Sequence, residues 1–200
     1  MASYSIVRLQ VQTDRLKPGS APHRYYHPER ILSVPVLDVG PDGASGIGPD
    51  GPVVDVHNRN HPRTRDPKGK AGLTVLGTGD YERIRRRYGQ HVTDGIAGES
   101  ILVDAPDGLA GGQGERACVI TANGPIELRS VRVAAPCVEF SRFCLGEEMS
   151  DTVSADVREA LKFLDGGMRG YRAVACAAGS IAVGDSVEFS PSADSGDLST

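Results

Sequence analysis

A cysteine stands directly after a proline at the end of an alternating stretch, Arg132-Val133-Ala134-Ala135-Pro136-Cys137. Pro136 fixes its own φ and pushes Ala135 towards extended geometry, so a strand ends there and the thiol sits on a rigid exit. A thiolate so presented can serve as a soft nucleophile or a metal ligand, and nearby positive charge favours that form. The alternative is one more small buried hydrophobe, the ordinary state of a free cysteine. Arg132 and Arg142 are close in sequence. A larger supply of charge lies between His57 and His91, where nine bases face three acids; that segment carries +6 in a chain of −4, leaving −10 elsewhere. A local basic field in an acidic chain points to a small anionic ligand more than to a nucleic-acid groove. A solvated helix face plus a charged loop is the other reading. Arg63, Arg65, Lys68 and Lys70 could offer forked and point-charge contacts to a phosphate.

His57 and His61 are spaced i, i+4, which on a helix would turn both towards one metal ion. Asn58, Asn60 and Pro62 argue against a helix, and no third ligand is near in sequence. A loop whose polar and basic side chains face a ligand is the better reading. Glu99 and Asp185 lie beside glycine turns, where carboxylates usually satisfy local backbone donors. Cys144 follows Cys137 by seven residues. On a helix the two would share a face and could form a thiol pair, though a packed cysteine accounts for it as well. Cys118 and Cys176 fall within apolar strands and read as core.

The elements that must position these groups are short. Ile6 to Gln12 alternates, with Val7, Leu9 and Val11 on one face. Ile31 to Val39 is apolar but holds Pro35, which suits an edge strand or a bulge. Gly40 to Pro52 reads as a mobile surface loop, and Val53 to Val56 as a strand. A helix over Tyr81–Tyr88 takes its cap from Thr78 or Asp80, stops at Gly89 and turns Tyr81, Ile84 and Tyr88 inward. Asp107 to Glu115 is a glycine-rich loop, and Ala117 to Thr121 a strand. Ile126 and Leu128 keep one phase, Val131 and Val133 the other. The slip near Ser130 predicts a β-bulge or a strand that changes faces. Ser154 caps a second helix, Ala155–Leu164, with Val157, Leu161 and Leu164 inward. Short strands follow from Tyr171 to Phe189 at the spacing of a barrel's closing edge.

Two hundred residues suit one domain, taken as 1–190, with 191–200 read as a disordered tail. Gly 25, Pro 13 and no Trp indicate many turns and short strands. The four cysteines form no CxxC pair, which removes zinc-ribbon and thioredoxin motifs and suits a reducing cytosol. No signal-peptide core or membrane-length apolar run is read, so neither a membrane nor a nucleic acid is expected as partner.

Four blocks, in order across about residues 50–190, resemble the MOSC domain, the C-terminal module of molybdenum cofactor sulfurases that also occurs as stand-alone bacterial proteins. Gly95-Ile96-Ala97-Gly98-Glu99 is similar to its G-x-x-G-E-N turn and Pro136-Cys137 to its P-C. Gly170-Tyr171-Arg172-Ala173-Val174 is similar to its Y-x-R-V strand, and Gly179 to Asp185 to its G-x-V-x-x-G-D turn. Ser100 stands where the family usually has asparagine, and Ala134 where many members have arginine; Arg132 is the nearest base. The resemblance implies a mostly β fold with peripheral helices, a small closed or partly open barrel. It implies a molybdenum-pterin cofactor, with Cys137 as catalytic residue and metal ligand. His57, Arg63, Arg65, Lys68, Lys70, Glu99, Arg132 and Arg172 are the matching cofactor-binding candidates. Members reduce N-hydroxylated compounds or relay sulfur. The expected activities are therefore molybdenum-cofactor oxidoreduction, sulfur transfer by a persulfide on Cys137, or binding without catalysis. A cysteine desulfurase or an electron-transfer protein would be the partner, beside the anionic pterin or a small substrate. Pyridoxal phosphate, used by a companion domain of the larger sulfurases, is not expected on this chain.

Overall fold

The structure is a computed structural model that describes residues 2–21, 23–109 and 114–190. The tail expected at 191–200 and the centre of the glycine-rich loop lie outside the described residues.

Twelve strands and three α-helices follow one another as β1 (Ala2–Gln12), β2 (Ile31–Val34), β3 (Val36–Gly40), β4 (Gly43–Gly48), β5 (Gly51–Val54), β6 (Leu73–Gly77), α1 (Thr78–Tyr88), β7 (Ile101–Val103), β8 (Ala117–Thr121), β9 (Gly124–Val133), α2 (Val138–Leu145), α3 (Ala155–Leu164), β10 (Tyr171–Ala175), β11 (Gly179–Ala182) and β12 (Ser186–Phe189). Seven strands close into a barrel in the order β12-β8-β9-β10-β6-β7-β1, because β1 pairs back onto β12. Closure removes the exposed edges of an open sheet. Among the described residues only β6 and β7 run parallel, and α1 makes the crossover between them. The far half of β1 pairs with β2. A second sheet, β11-β3-β4-β5, covers one side. Among the described residues no helix is long and apolar enough to cross a membrane.

Local rules explain the corners. Pro35 separates β2 from β3 and marks the place where the chain leaves the barrel for the small sheet. The expected loop at Gly40 to Pro52 is instead the β4–β5 hairpin. Its glycines are there for close approach: a Cβ on Gly46 would meet Val34 at 2.9 Å, and one on Gly48 would meet Leu32 at 2.9 Å. On β1 the inward residues are Ile6, Leu9 and Val11, while Val7 is exposed, because the β1–β7 register slips between Ile6 and Arg8. At Ser130 the anticipated bulge is present. Ser130 has φ 54°, and the β9–β10 register shifts between Arg172 and Val174. Helix α1 is capped by Gly77 rather than by a side chain, and Asp80 is buried, accepting the N–H of Leu109 at 2.7 Å. Ser154 caps α3, its hydroxyl accepting the N–H of Val157 at 3.1 Å.

One core fills the barrel, with Leu9, Val11, Val75, Ile101, Leu128 and Tyr171 among its members. A second lies outside it, where Tyr81 and Ile84 of α1, Phe140 and Cys144 of α2 and Leu164 of α3 pack over Leu76 and Leu102. The turn 95–99 is seated against this second core. Gly95 and Gly98 have φ 87° and 79°, and each backs onto a β1 side chain. Gln10 donates to the carbonyl of Gly95, Tyr26 to that of Ile96, Arg169 to that of Ala97 and Gln12 to that of Gly98. Tyr81 receives the N–H of Ala97 at 2.9 Å and donates to Glu99 at 2.7 Å.

Glu99 is buried, and desolvation raises its carboxyl above the usual carboxylate range against the opposing hydrogen bond from Tyr81. Its second oxygen has no partner among the described residues. The folded state thus holds a proton there more tightly than the unfolded chain. The stability contributed by protonation is complete below the ordinary glutamate range and is lost as pH rises through the raised value. Glu99→Gln should therefore match or exceed the parent in urea denaturation at mildly alkaline pH and lose ground to it as the pH is lowered. Glu99→Ala, which strands the Tyr81 hydroxyl, should lose about 1–3 kcal/mol.

Candidate functional site

Cys137 is the residue before α2, in extended geometry, and its carbonyl accepts the N–H of Ser141 at 3.0 Å. The proline exit therefore runs straight into a helix, which the sequence reading did not place. The thiol is half-buried and opens on a cleft of about 230 Å³. Strand β9 leads into Cys137, strand β10 beside it brings Arg172, and the approach to β10 brings Arg169. The loop after β5 adds His57, Arg65 and Asp66, and the segment after β1 adds Arg15, Lys17 and Tyr26.

The charge in this cleft is one-sided. Five arginines and Lys17 face a single carboxylate, Asp66. Asp66 is already engaged, accepting the N–H of Ala71 at 2.6 Å. Lys17 has Glu139 at 4.0 Å. Among the described residues none of Arg15, Arg65, Arg132, Arg169 and Arg172 forms an ion pair. Three of the four arginines of α1 behave otherwise: Arg83 pairs with Asp80, Arg85 with Glu82 and Asp94, and Arg87 with Glu159.

Arg132 and Arg172 are direct cross-strand partners on β9 and β10. Like charges so placed destabilise a sheet. Partial burial, and then the charges of Arg132 and Arg169, hold the Arg172 guanidinium below its usual range. Arg132 donates to the carbonyl of Lys70 at 2.6 Å, which ties the basic loop to the strand. Arg169 lies 4.2 Å over the Phe140 ring while it holds the Ala97 carbonyl, so the 95–99 turn forms part of the cleft floor.

Of the residues singled out from sequence, Cys137, His57, Arg65, Arg132 and Arg172 meet in the cleft. Arg63, Lys68, Lys70 and Glu99 do not line it. Arg63 pairs with Asp14 at 2.9 Å, Lys70 contributes its carbonyl rather than its ammonium, and Glu99 braces Tyr81. His61 accepts the N–H of Arg63 and belongs to a turn. Ala134 is buried with its N–H on Gly170, whereas Arg132 is exposed; the ladder ends at Val133, so the alternation does not extend to Ala134. Ser100, also buried, accepts the N–H of Thr74 through its hydroxyl. Asp185 accepts the N–H of Ala182 and closes the last turn.

Among the other thiols, Cys144 is buried and its thiol is pushed up to about 12 by desolvation. Cys118 is half-buried, and Cys176, read as core, is exposed because it lies just past the end of β10. Arg15, Lys17, Gln12, Tyr26 and Arg169 were not foreseen. No spacing in the sequence joins them, since they converge only through barrel closure and the path of the segment after β1.

No family model and no curated protein sequence matches the chain. Several solved structures share its fold, two of them as follows. The YUAD protein from Bacillus subtilis superposes with a TM-score of 0.57 at 12% identity, covering 94% of this chain and 96% of that one. A hypothetical protein superposes with a TM-score of 0.55 at 11% identity, covering 94% of this chain and 68% of its own. At these identities the likeness is one of fold.

Proposed function

We propose that the cleft binds an anionic molybdenum-pterin cofactor of the MOSC type, with Cys137 as its sulfur ligand, and that the chain is an oxidoreductase built on it. The observation that carries this reading is the cross-strand pair Arg132–Arg172, unpaired with any carboxylate among the described residues, in the same cleft as Cys137. Two guanidinium forks side by side suit a phosphate, which accepts bidentate bonds from each.

The donor set fits such a group. Among the described residues no three His, Cys, Asp or Glu side chains cluster around a metal position. A metal here would therefore arrive on ligands of its own, with one soft thiolate added by the protein. Arg65, Arg132 and Arg172 would hold the phosphate, and Cys137 would supply the sulfur. Bound, the group would supply redox chemistry at its metal. The chain's own residues do the rest. Tyr26 and Leu16 wall the cleft, and Arg169 fixes the Ala97 carbonyl at its floor. Lys17 approaches Glu139 of α2 and links the segment after β1 to the helix that follows the thiol.

A second reading has one observation in its favour. Cys137 is the only cysteine that lines the cleft, and Cys144 is buried in the neighbouring core. An accessible thiol without a resolving partner suits a carried persulfide. Intact mass after incubation with a cysteine desulfurase and cysteine separates the readings. A gain of one sulfur lost in Cys137→Ala supports the carrier.

Protein purified from a cofactor-competent host should contain molybdenum and pterin, both lost in Cys137→Ala and retained in Cys144→Ser. Metal-free, pterin-free wild-type protein from such a host would defeat the cofactor reading. Arg172→Gln should move two measurements in opposite directions. It relieves the cross-strand repulsion, so the ligand-free protein should gain about 0.2–1 kcal/mol in urea denaturation. It also removes a charge-assisted contact of about 1.5–3 kcal/mol, so cofactor affinity should fall roughly tenfold to a hundredfold.

A further inference from the structure

We infer that His57, oriented by Asp55, is a proton-linked specificity residue of the cleft, taking up a proton as a dianionic group binds. The inference rests on the anion reading given above.

Asp55 is buried. One of its oxygens accepts the N–H of Gln12 at 2.6 Å; the other receives both the backbone N–H of His57 at 2.7 Å and its ring Nδ1 at 3.0 Å. A carboxylate that already accepts two backbone donors acts as an acceptor towards the ring too, which fixes the proton on Nδ1 and leaves Nε2 basic. Among the described residues nothing bonds to Nε2, and the ring lines the cleft. The imidazole is 31% exposed, so a proton can reach it from solvent.

Charged groups from several elements line the same cleft as this ring. Its own loop brings Arg65 and Asp66. The segment after β1 brings Arg15 and Lys17. The strand pair brings Arg132 and Arg172, and beyond them stand Arg169 and Cys137. Asp55 lies on the opposite side. A dianion in the cleft offsets the bases and leaves an imidazolium between two negative groups. The protonated ring then binds the dianion more tightly, and by reciprocity the dianion holds the proton more tightly. A monoanion offsets less charge, so the same residue discriminates ligands by charge.

Sulfate is the probe, because it stays a dianion near neutral pH and brings no proton of its own. Calorimetry in two buffers of different protonation enthalpy reads the protons taken up per sulfate bound. Wild-type protein should take up a fraction approaching about one proton, with affinity falling by up to about tenfold per unit rise in pH. His57→Gln should bind sulfate with no uptake and little pH dependence, and formate should drive less uptake than sulfate in the wild type. Nitrogen-15 shifts of the ring should report the Nδ1–H form, and an Nε2–H ring would overturn the arrangement. Sulfate binding without uptake, or with uptake unchanged in His57→Gln, overturns the role of His57 and leaves the anion cleft standing. No sulfate binding by wild-type protein removes both.

Discussion

Four consecutive carbonyls, from Gly95 to Gly98, each accept a hydrogen bond from a side chain of a distant segment. This is a severe local constraint. A turn packed against a core cannot leave its carbonyls unpartnered without a cost of about 1–3 kcal/mol for each. The donors therefore have to arrive together. Gln10 and Gln12 come from β1, Tyr26 from the segment after it, and Arg169 from the approach to β10. Once they are in place, the segment after β1, the start of β10 and the 95–99 turn are fixed relative to one another. Those are three of the walls of the cleft. The left-handed glycines at 95 and 98 make the turn tight enough to show all four carbonyls outward. Tyr81 and Glu99 finish the arrangement from α1 and the start of β7.

Much of the architecture follows from patterns that a single sequence carries. Both long helices, the strands near each terminus, the Pro35 corner and the Ser130 bulge are written in period, punctuation and caps. The losses have physical reasons. Gly40 to Pro52 is rich in residues that usually make loops, yet there Gly46 and Gly48 serve to let β4 lie against β2. Strand β6 is five residues between glycines, too short to show a period, though it sits in the barrel between β7 and β10. Helix α2 begins immediately after a Pro-Cys pair and has no capping side chain to announce it.

The candidate site was legible to a lesser degree, and the reason is electrostatic. The run of bases from Arg59 to Arg87 is the loudest charge signal in the chain, but proximity in sequence says nothing about pairing. Arg83, Arg85 and Arg87 of α1 meet carboxylates on their own helix and beyond it, and Arg59 and Arg63 meet Asp42 and Asp14. The cleft arginines, none of which forms an ion pair among the described residues, come one or two at a time from separate segments: Arg15, Arg65, Arg132, Arg169 and Arg172. An unpaired charge is a property of the folded arrangement. It is also the property that matters, since a paired guanidinium has little left for a ligand, and several unpaired ones in a walled cleft focus a field that none could produce alone.

Two unfavourable features occur side by side on β9, and one produces the other. In a regular ladder, Val174 opposite Arg129 would put Val131 opposite Arg172. The extra residue at Ser130 moves the register on by one, so that Val131 turns into the core and Arg132 comes to face Arg172. The chain accepts a non-glycine residue at positive φ, which costs about 1–3 kcal/mol, and obtains from it a like-charged cross-strand pair that adds a further cost of about 0.2–1 kcal/mol. A leucine or threonine at 132 would have kept the barrel without the second cost. Burial of Val131 is what the bulge gains within the fold, and the repulsion between Arg132 and Arg172 comes with it. An anion lying across both guanidinium groups would relieve that repulsion. Cys137, five residues further along the same strand and its exit, opens on that same place.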